Sequence, residues 1–195
     1  AQVPLSDLLD GIDNGWSPTC LDRKATAEEW GVLKLGAVTW GHYNQGENKA
    51  LPPDLLPDPQ IEVRAGDLLM VRKNTYELVG NCCLVRTTRP RLMMSDLIFR
   101  LNISKGGPIE AIYLRRALSQ ASARRQLRSI AGGTSGTMPN ISKGRLLTVK
   151  VPLPPSHLQQ EFTRRVAAIE ALLAAQRANL TEMDALFASL QHRAF

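Results

Sequence analysis

Cysteine is scarce in this chain. Only Cys20, Cys82 and Cys83 occur among its 195 residues, an odd number without CxxC or Cys/His spacing. That pattern excludes a disulfide framework and argues against a zinc site. No apolar run is long enough to span a bilayer, and no charged-then-apolar leader opens the chain. A soluble, cytoplasmic protein with no membrane partner is expected. The chain begins at Ala1, so either an initiator Met is removed or the sequence is a segment of something longer. Catalytic signatures are missing as well. There is no GxSxG elbow, no Walker A loop, no HExxH and no glycine-rich dinucleotide turn. The Pro154-Pro155-Ser156 run is not the Asn/Asp-Pro-Pro-aromatic tetrapeptide of a DNA methyltransferase. A non-catalytic chain without a bound cofactor or metal is the expectation.

Acid is absent from one long stretch. Between Glu110 and Glu161 there is no Asp or Glu, while Arg115, Arg116, Arg124, Arg125, Arg128, Lys143, Arg145 and Lys150 all fall there. The last forty or so residues are balanced, with Arg164, Arg165, Arg177 and Arg193 against Glu161, Glu170, Glu182 and Asp184. The formal net charge of +6 therefore lies upstream. Basic excess confined to one domain is the footprint of a polyanion partner, although a solvated basic face leaves the same trace.

What is present begins with the end of the chain. Phe162, Val166, Ile169, Leu173, Gln176, Leu180, Met183, Phe187 and Leu190 alternate at intervals of four and three, a repeat of 3.5 residues over four heptads. Such a narrow seam suits a helix facing another helix, whereas packing on its own domain would ask for a wider stripe. Pro154-Pro155 blocks helix upstream, Ser156 is the expected cap and Gln159 completes a capping box. The expected division is a domain over residues 1–153 and a helix over residues 154–195.

Upstream, residues 1–30 read as an irregular lead-in with a helical turn at 26–29. Residues 32–35 and 38–40 read as strand, and residues 41–59 as a long surface loop. Further strands are expected at 61–63, 67–71, 78–79, 82–85 and 97–101, one helix over 109–130, a Gly/Ser/Thr loop over 132–144 and a last strand over 146–151. The fold class is α+β, or mixed α/β, followed by the coiled-coil-type helix.

These residues resemble a known family. Gly132-Gly133-Thr134-Ser135-Gly136-Thr137-Met138-Pro139-Asn140-Ile141-Ser142, then Leu146 to Pro155, then Gln160 and the long helix, look like the specificity subunit of type I restriction–modification systems. Asp67 to Thr75 with Leu78-Val79-Gly80 is similar to its mid-domain motif, Ser95 to Arg100 to the following one, and Val3 to Pro18 to its domain entry. That family carries two target recognition domains, each followed by a helix, and the two helices pair antiparallel. The resemblance implies a half-subunit that pairs with a second copy, or one half of a longer chain. It further implies that the domain reads one half of a split site on double-stranded DNA. Separate methylation and restriction subunits would be the partners, with S-adenosylmethionine on the methylation subunit and none here.

The family's base-reading residues vary from member to member, so contacts are read from the residues themselves. The candidates are Trp40, His42, Tyr43, Asn44, Gln45 and Lys49 in the long loop, Arg72, Lys73, Asn74 and Thr75 after the mid-domain strand, and Thr134, Ser135, Thr137, Lys143 and Arg145 in and after the glycine loop. Asn and Gln amides pair bidentately with adenine, so Asn44 and Gln45, with Tyr43, are expected at base edges. His42 is read as a contact, since no second metal ligand lies near it. The glycine loop is either a cradle for a DNA phosphate or a structural turn. The arginines of the 109–130 helix are phosphate contacts or merely solvated. In a two-fold antiparallel pair of helices Gln176 would sit near its own mate and help set register. The rival reading is a coiled-coil scaffold or adaptor that does not touch DNA.

Overall fold

The structure is a computed structural model describing residues 1–132 and 138–194. Its fold is α+β. The strands are β1 (Gln2–Pro4), β2 (Leu9–Asn14), β3 (Gly31–Leu33), β4 (Asn48–Ala50), β5 (Leu68–Val71), β6 (Cys82–Leu84), β7 (Leu92–Met93), β8 (Ile98–Ile103) and β9 (Lys150–Pro152). The helices are α1 (Gly36–Thr39), α2 (Ala111–Leu118), α3 (Ala121–Ile130), α4 (Lys143–Leu147) and α5 (Ser156–Ala194). Two compact units result, Ala1–Pro154 and Pro155–Phe195.

The first unit is built on the antiparallel sheet β2-β8-β5-β6. In β5 all four residues, Leu68, Leu69, Met70 and Val71, are buried. Side chains alternate across a strand, so an uninterrupted apolar run requires cover on both faces. Leu68 and Met70 join Leu8, Phe99, Leu114, Leu127 and Val151 in one core. Leu69 and Val71 join Val32, Val38, Leu92, Met93 and Ile98 in a second. The adjacent Cys82 and Cys83 split between the two cores in the same way. Helices α2 and α3 and the antiparallel pair β1-β9 supply side chains to the first core. The sheet β4-β3-β7, where β3 runs antiparallel to β4 and parallel to β7, supplies the second.

Several local expectations are corrected. The lead-in contains β1 and β2, whose partners β9 and β8 lie far away in sequence, with a bulge between Leu9 and Gly11 interrupting the alternation. Residues 27–29 form a bend rather than a helical turn at 26–29, and the Glu29 carboxylate accepts from the Thr26 amide and from Arg23. The strand expected at 38–40 is the one-turn helix α1, because Ala37 and Val38 are drawn into the second core and tertiary packing overrides β-propensity. The long loop contains β4, held by Asn48, whose side chain donates to the Gln45 carbonyl and accepts from the Ala25 amide. Residues 59–61 make a 3-10 turn, with Glu62 in a single bridge to Met93. The amides of Leu78 and Val79 fold back onto the Thr75 carbonyl as a turn.

The helix expected over 109–130 is two helices, broken where Gln120 turns extended at ψ 150°. The strand expected over 146–151 starts as α4, whose cap Ser142 accepts from the Arg145 amide, and only Lys150–Pro152 pairs. Ser156 is the first helical residue, with the Pro155 carbonyl accepting from the Leu158 and Gln159 amides, rather than the expected cap.

Described by itself, α5 is 39 residues long, which at about 1.5 Å per residue reaches roughly 58 Å. Its seam residues Ile169, Leu173, Leu180, Met183, Phe187 and Leu190 are exposed, as is Gln176, while Phe162 and Val166 are half-buried. Leu172 and Leu186, each one residue before a seam position, are exposed too, so the apolar stripe is wider than the heptad seam alone.

Candidate nucleic-acid interface

Strand register gathers the candidate contacts. Asn14 stands opposite Phe99 and Val71 opposite Ile98, so β2 and β5 end where β8 begins. Three connections leave this edge of the sheet: residues 15–18, 72–81 and 94–97. Arg72 ties them together. Its amide donates to the Leu97 carbonyl at 2.8 Å, and its guanidinium donates to Asn14 Oδ1 at 3.3 Å and to the Asp96 carbonyl at 3.1 Å. The same guanidinium lies 5.4 Å from the centre of the Phe99 ring. Arg72, expected as a contact, faces inward and braces the edge.

The neighbouring residues face outward. Residues 72–74 pair with 139–141: the Ile141 amide donates to the Arg72 carbonyl at 3.0 Å, the Asn74 amide to the Pro139 carbonyl at 3.3 Å, and Lys73 bridges Asn140. Asn140 also bridges Gly132. The paired segment runs into α4, so Lys73, Lys143 and Arg145, distant in sequence, are brought to one edge with their side chains exposed. Asn74 is half-buried and its Oδ1 accepts from the Thr75 amide, while Thr75 is exposed. Thr134, Ser135 and Thr137 lie outside the described residues, although both flanks of their loop, Gly132 and Met138, belong to this edge.

The loop after α1 turns out differently from expectation. Trp40 is 67% exposed and His42 is exposed. The Tyr43 ring packs on the second core, its hydroxyl bonds Thr88 Oγ1 at 2.9 Å, and burial pushes its pKa up. Asn44 Oδ1 accepts from the Gly46 amide at 3.0 Å, and Gln45 Oε1 accepts from the Arg89 amide at 2.8 Å. Lys49 is paired with Asp22 at 2.7 Å. Tyr43, Asn44 and Gln45, expected at base edges, therefore use these groups to hold their own loop. The segment is fixed to the edge by Asn81, whose amide donates to the Thr39 carbonyl at 2.9 Å. Arg115 donates to the Gly41 carbonyl at 2.5 Å, a residue whose φ of +76° suits glycine.

The arginines of α2 and α3 divide. Arg115 and Arg124 are internal ties, Arg124 donating to the Val79 and Glu77 carbonyls at 2.8 Å each. Burial and the nearby Arg128 lower the Arg124 pKa. Arg116, Arg125 and Arg128 are exposed. Two aromatics were missed by reasoning from sequence. Trp16, 39% exposed, follows Gly15 on the same edge, and Tyr76, 47% exposed, tops the turn after Arg72. A Cβ on Gly15 would stand 2.2 Å from the Met94 carbonyl oxygen, so only glycine allows this approach. The Gly15-Trp16 pair was the available signal.

Beneath the edge, Arg100 holds Asp13 at 2.7 Å and Asp67 at 3.4 Å and donates to the Glu62 and Gln60 carbonyls. Burial opposes ionisation of Asp13, but Arg100, Asn102 and Lys143 outweigh it and hold the carboxyl below its ordinary value. Among the described residues no group of three or more His, Cys, Asp or Glu could hold a metal ion, and no helix is long and apolar enough to cross a membrane.

The chain is 36% identical over 156 residues to the specificity subunit of the type I restriction enzyme EcoEI of Escherichia coli, a match covering 80% of this chain. The chain's relatives are type I restriction specificity subunits. It spans only about a quarter of that subunit, 26% of its length. No family model matches the chain. The fold is similar to the S subunit of a type I restriction–modification system from M. genitalium, with a TM-score of 0.53 at 16% identity, covering 88% of this chain and 39% of that one. It is equally similar to the HsdS subunit from Thermoanaerobacter tengcongensis, at TM-score 0.53, 18% identity and 90% and 38% coverage.

Proposed function

We propose that the first unit is a target recognition domain reading one half of a split site on double-stranded DNA, in the manner of a type I specificity subunit. The observation that carries this reading is the 36% identity to such a subunit over 80% of the chain. The edge bearing Lys73, Lys143 and Arg145, with Trp16, Trp40 and Tyr76 exposed beside it, supports it physically. In this reading the three cations and Thr75 meet phosphates, and Trp40 and His42 reach toward the bases. Arg72, Tyr43, Asn44 and Gln45 hold the frame. Thr134, Ser135 and Thr137 of the glycine loop, outside the described residues, are assigned to the same contact on their sequence alone. Helix α5 is the spacer: its exposed seam pairs with a second copy of this helix, or with the matching helix of a longer subunit, antiparallel and with Gln176 near the middle. The chain itself is non-catalytic and cytoplasmic. Methylation and restriction subunits dock on the assembly, S-adenosylmethionine belonging to the methylation subunit.

Fluorescence anisotropy against duplexes tests the proposal. A single recognition module buries on the order of 600–1,000 Å², so binding by the chain alone is expected to be modest and strongly salt-dependent, sharpening when methylation subunits are added. Absence of salt-sensitive binding would favour the scaffold or adaptor reading.

A further inference from the structure

Cations elsewhere in the first unit are matched by acids: Arg23 pairs with Glu29, Lys34 with Glu47 and Arg91 with Glu28. Helix α3 differs. Arg125 and Arg128 are exposed, and among the described residues neither takes part in an ion pair. The other exposed residues of this helix, Ala121, Ser122 and Ser129, are small. At 3.6 residues per turn all of these positions fall within about a third of the helix circumference, opposite the buried Ala123 and Leu127. The face is fixed in orientation from both flanks. On one flank Arg124 donates to the Val79 and Glu77 carbonyls at 2.8 Å each. On the other, Gln126 Nε2 donates to the Lys150 carbonyl and Gln126 Oε1 accepts from the Lys150 amide, both at 2.9 Å.

This face runs on from the proposed DNA edge. The Arg145 guanidinium donates to the carbonyl of Ile130, the last residue of α3, at 3.4 Å. Arg128 lies toward the 72–81 turn, where the Glu77 carboxyl is held below its ordinary value by its own amide, by Thr75 and by the charge of Arg128. Lys150, exposed, stands beside Gln126 on the far flank. No Asp or Glu between Glu110 and Glu161 offsets these charges. A braced, acid-free face of arginines among small side chains suits a backbone of repeating phosphates, which can come close and asks for no pocket. We infer that α3 is a second phosphate-binding surface, holding the duplex backbone outside the bases read at the edge. The inference rests on the DNA-binding reading, because continuity with that edge is what selects DNA over an acidic protein partner.

Arg125→Gln with Arg128→Gln in the full chain removes both charges from exposed positions, and coincident urea unfolding curves for variant and wild type keep lost folding out of the comparison. Anisotropy titrations at several salt concentrations then use random duplexes of about 30 and about 10 base pairs, the shorter spanning one turn of the double helix. On the longer duplex the variant's slope of log affinity against log salt should be shallower than the wild type's by about 1.8, a difference of about 12-fold between about 50 and about 200 mM salt. On the shorter duplex, which the edge alone occupies, the two proteins should share one slope. An equal fall in slope on both duplexes overturns the placement outside the edge. An unchanged slope on the longer duplex, where the variant lacking Lys73, Lys143 and Arg145 does lose slope, overturns the phosphate surface and leaves the face to an acidic protein. Absence of salt-sensitive binding by the wild type is the failure of the DNA-binding reading itself, and takes the inference with it.

Discussion

Replacing Lys73, Lys143 and Arg145 together with Ala removes the three exposed cations that chain pairing brings to one edge. Each phosphate neutralised contributes about −0.9 to the slope of log affinity against log salt, so the triple variant should have a slope shallower by about 2.7. Between about 50 and about 200 mM salt that difference amounts to a loss of about 40-fold in the wild type that the variant does not suffer. Anisotropy titrations with a labelled random duplex at several salt concentrations read the slope directly. Because the three side chains are exposed, urea unfolding should move by no more than about 0.5 kcal/mol. Parallel salt slopes for wild type and variant, with folding intact, would refute the assignment of this edge to DNA.

Arg72→Ala should act on stability, by about 2–4 kcal/mol in urea unfolding, since it removes charged hydrogen bonds to Asn14 and Asp96 and the stacking on Phe99. An unchanged urea midpoint would show that the brace is dispensable. Gly15→Ala should cost about 3 kcal/mol or more by the same measurement, because its new Cβ meets backbone atoms that have no room to move aside. Asp13 has a folded-state pKa depressed below 3.8, so the unfolded chain binds the extra proton on acidification. Its stabilising contribution is full above that value and is lost as pH falls through the folded pKa. The gap in urea midpoint between wild type and Asp13→Asn should therefore close at low pH, and a pH-independent gap would contradict the sign. Leu173→Glu with Leu180→Glu should shift the protein toward monomer in sedimentation velocity while leaving the first unit's unfolding unchanged, whereas a wild type already monomeric would rule out self-pairing.

The sequence by itself determined the features that repeat or accumulate along the chain. The 3.5-residue spacing from Phe162 to Leu190 specified α5, because helical periodicity is a local property. The apolar run at Leu68 to Val71 specified a strand. The acid-free stretch between Glu110 and Glu161 marked where cations would collect. What tertiary structure decided was pairing between distant segments and the inward or outward turn of single side chains. Strand β1 is short, β2 is interrupted by a bulge, and they find their partners about 150 and 90 residues later, so no local pattern announces them. Val38 joins a helical turn because the second core needs it there, against its own preference. Arg72 and Lys73 are adjacent and chemically alike, yet one packs on Phe99 while the other projects from the edge. Their opposite directions follow from what lies on either side of the chain just beyond β5, Phe99 on one and solvent on the other, which only the assembled domain supplies.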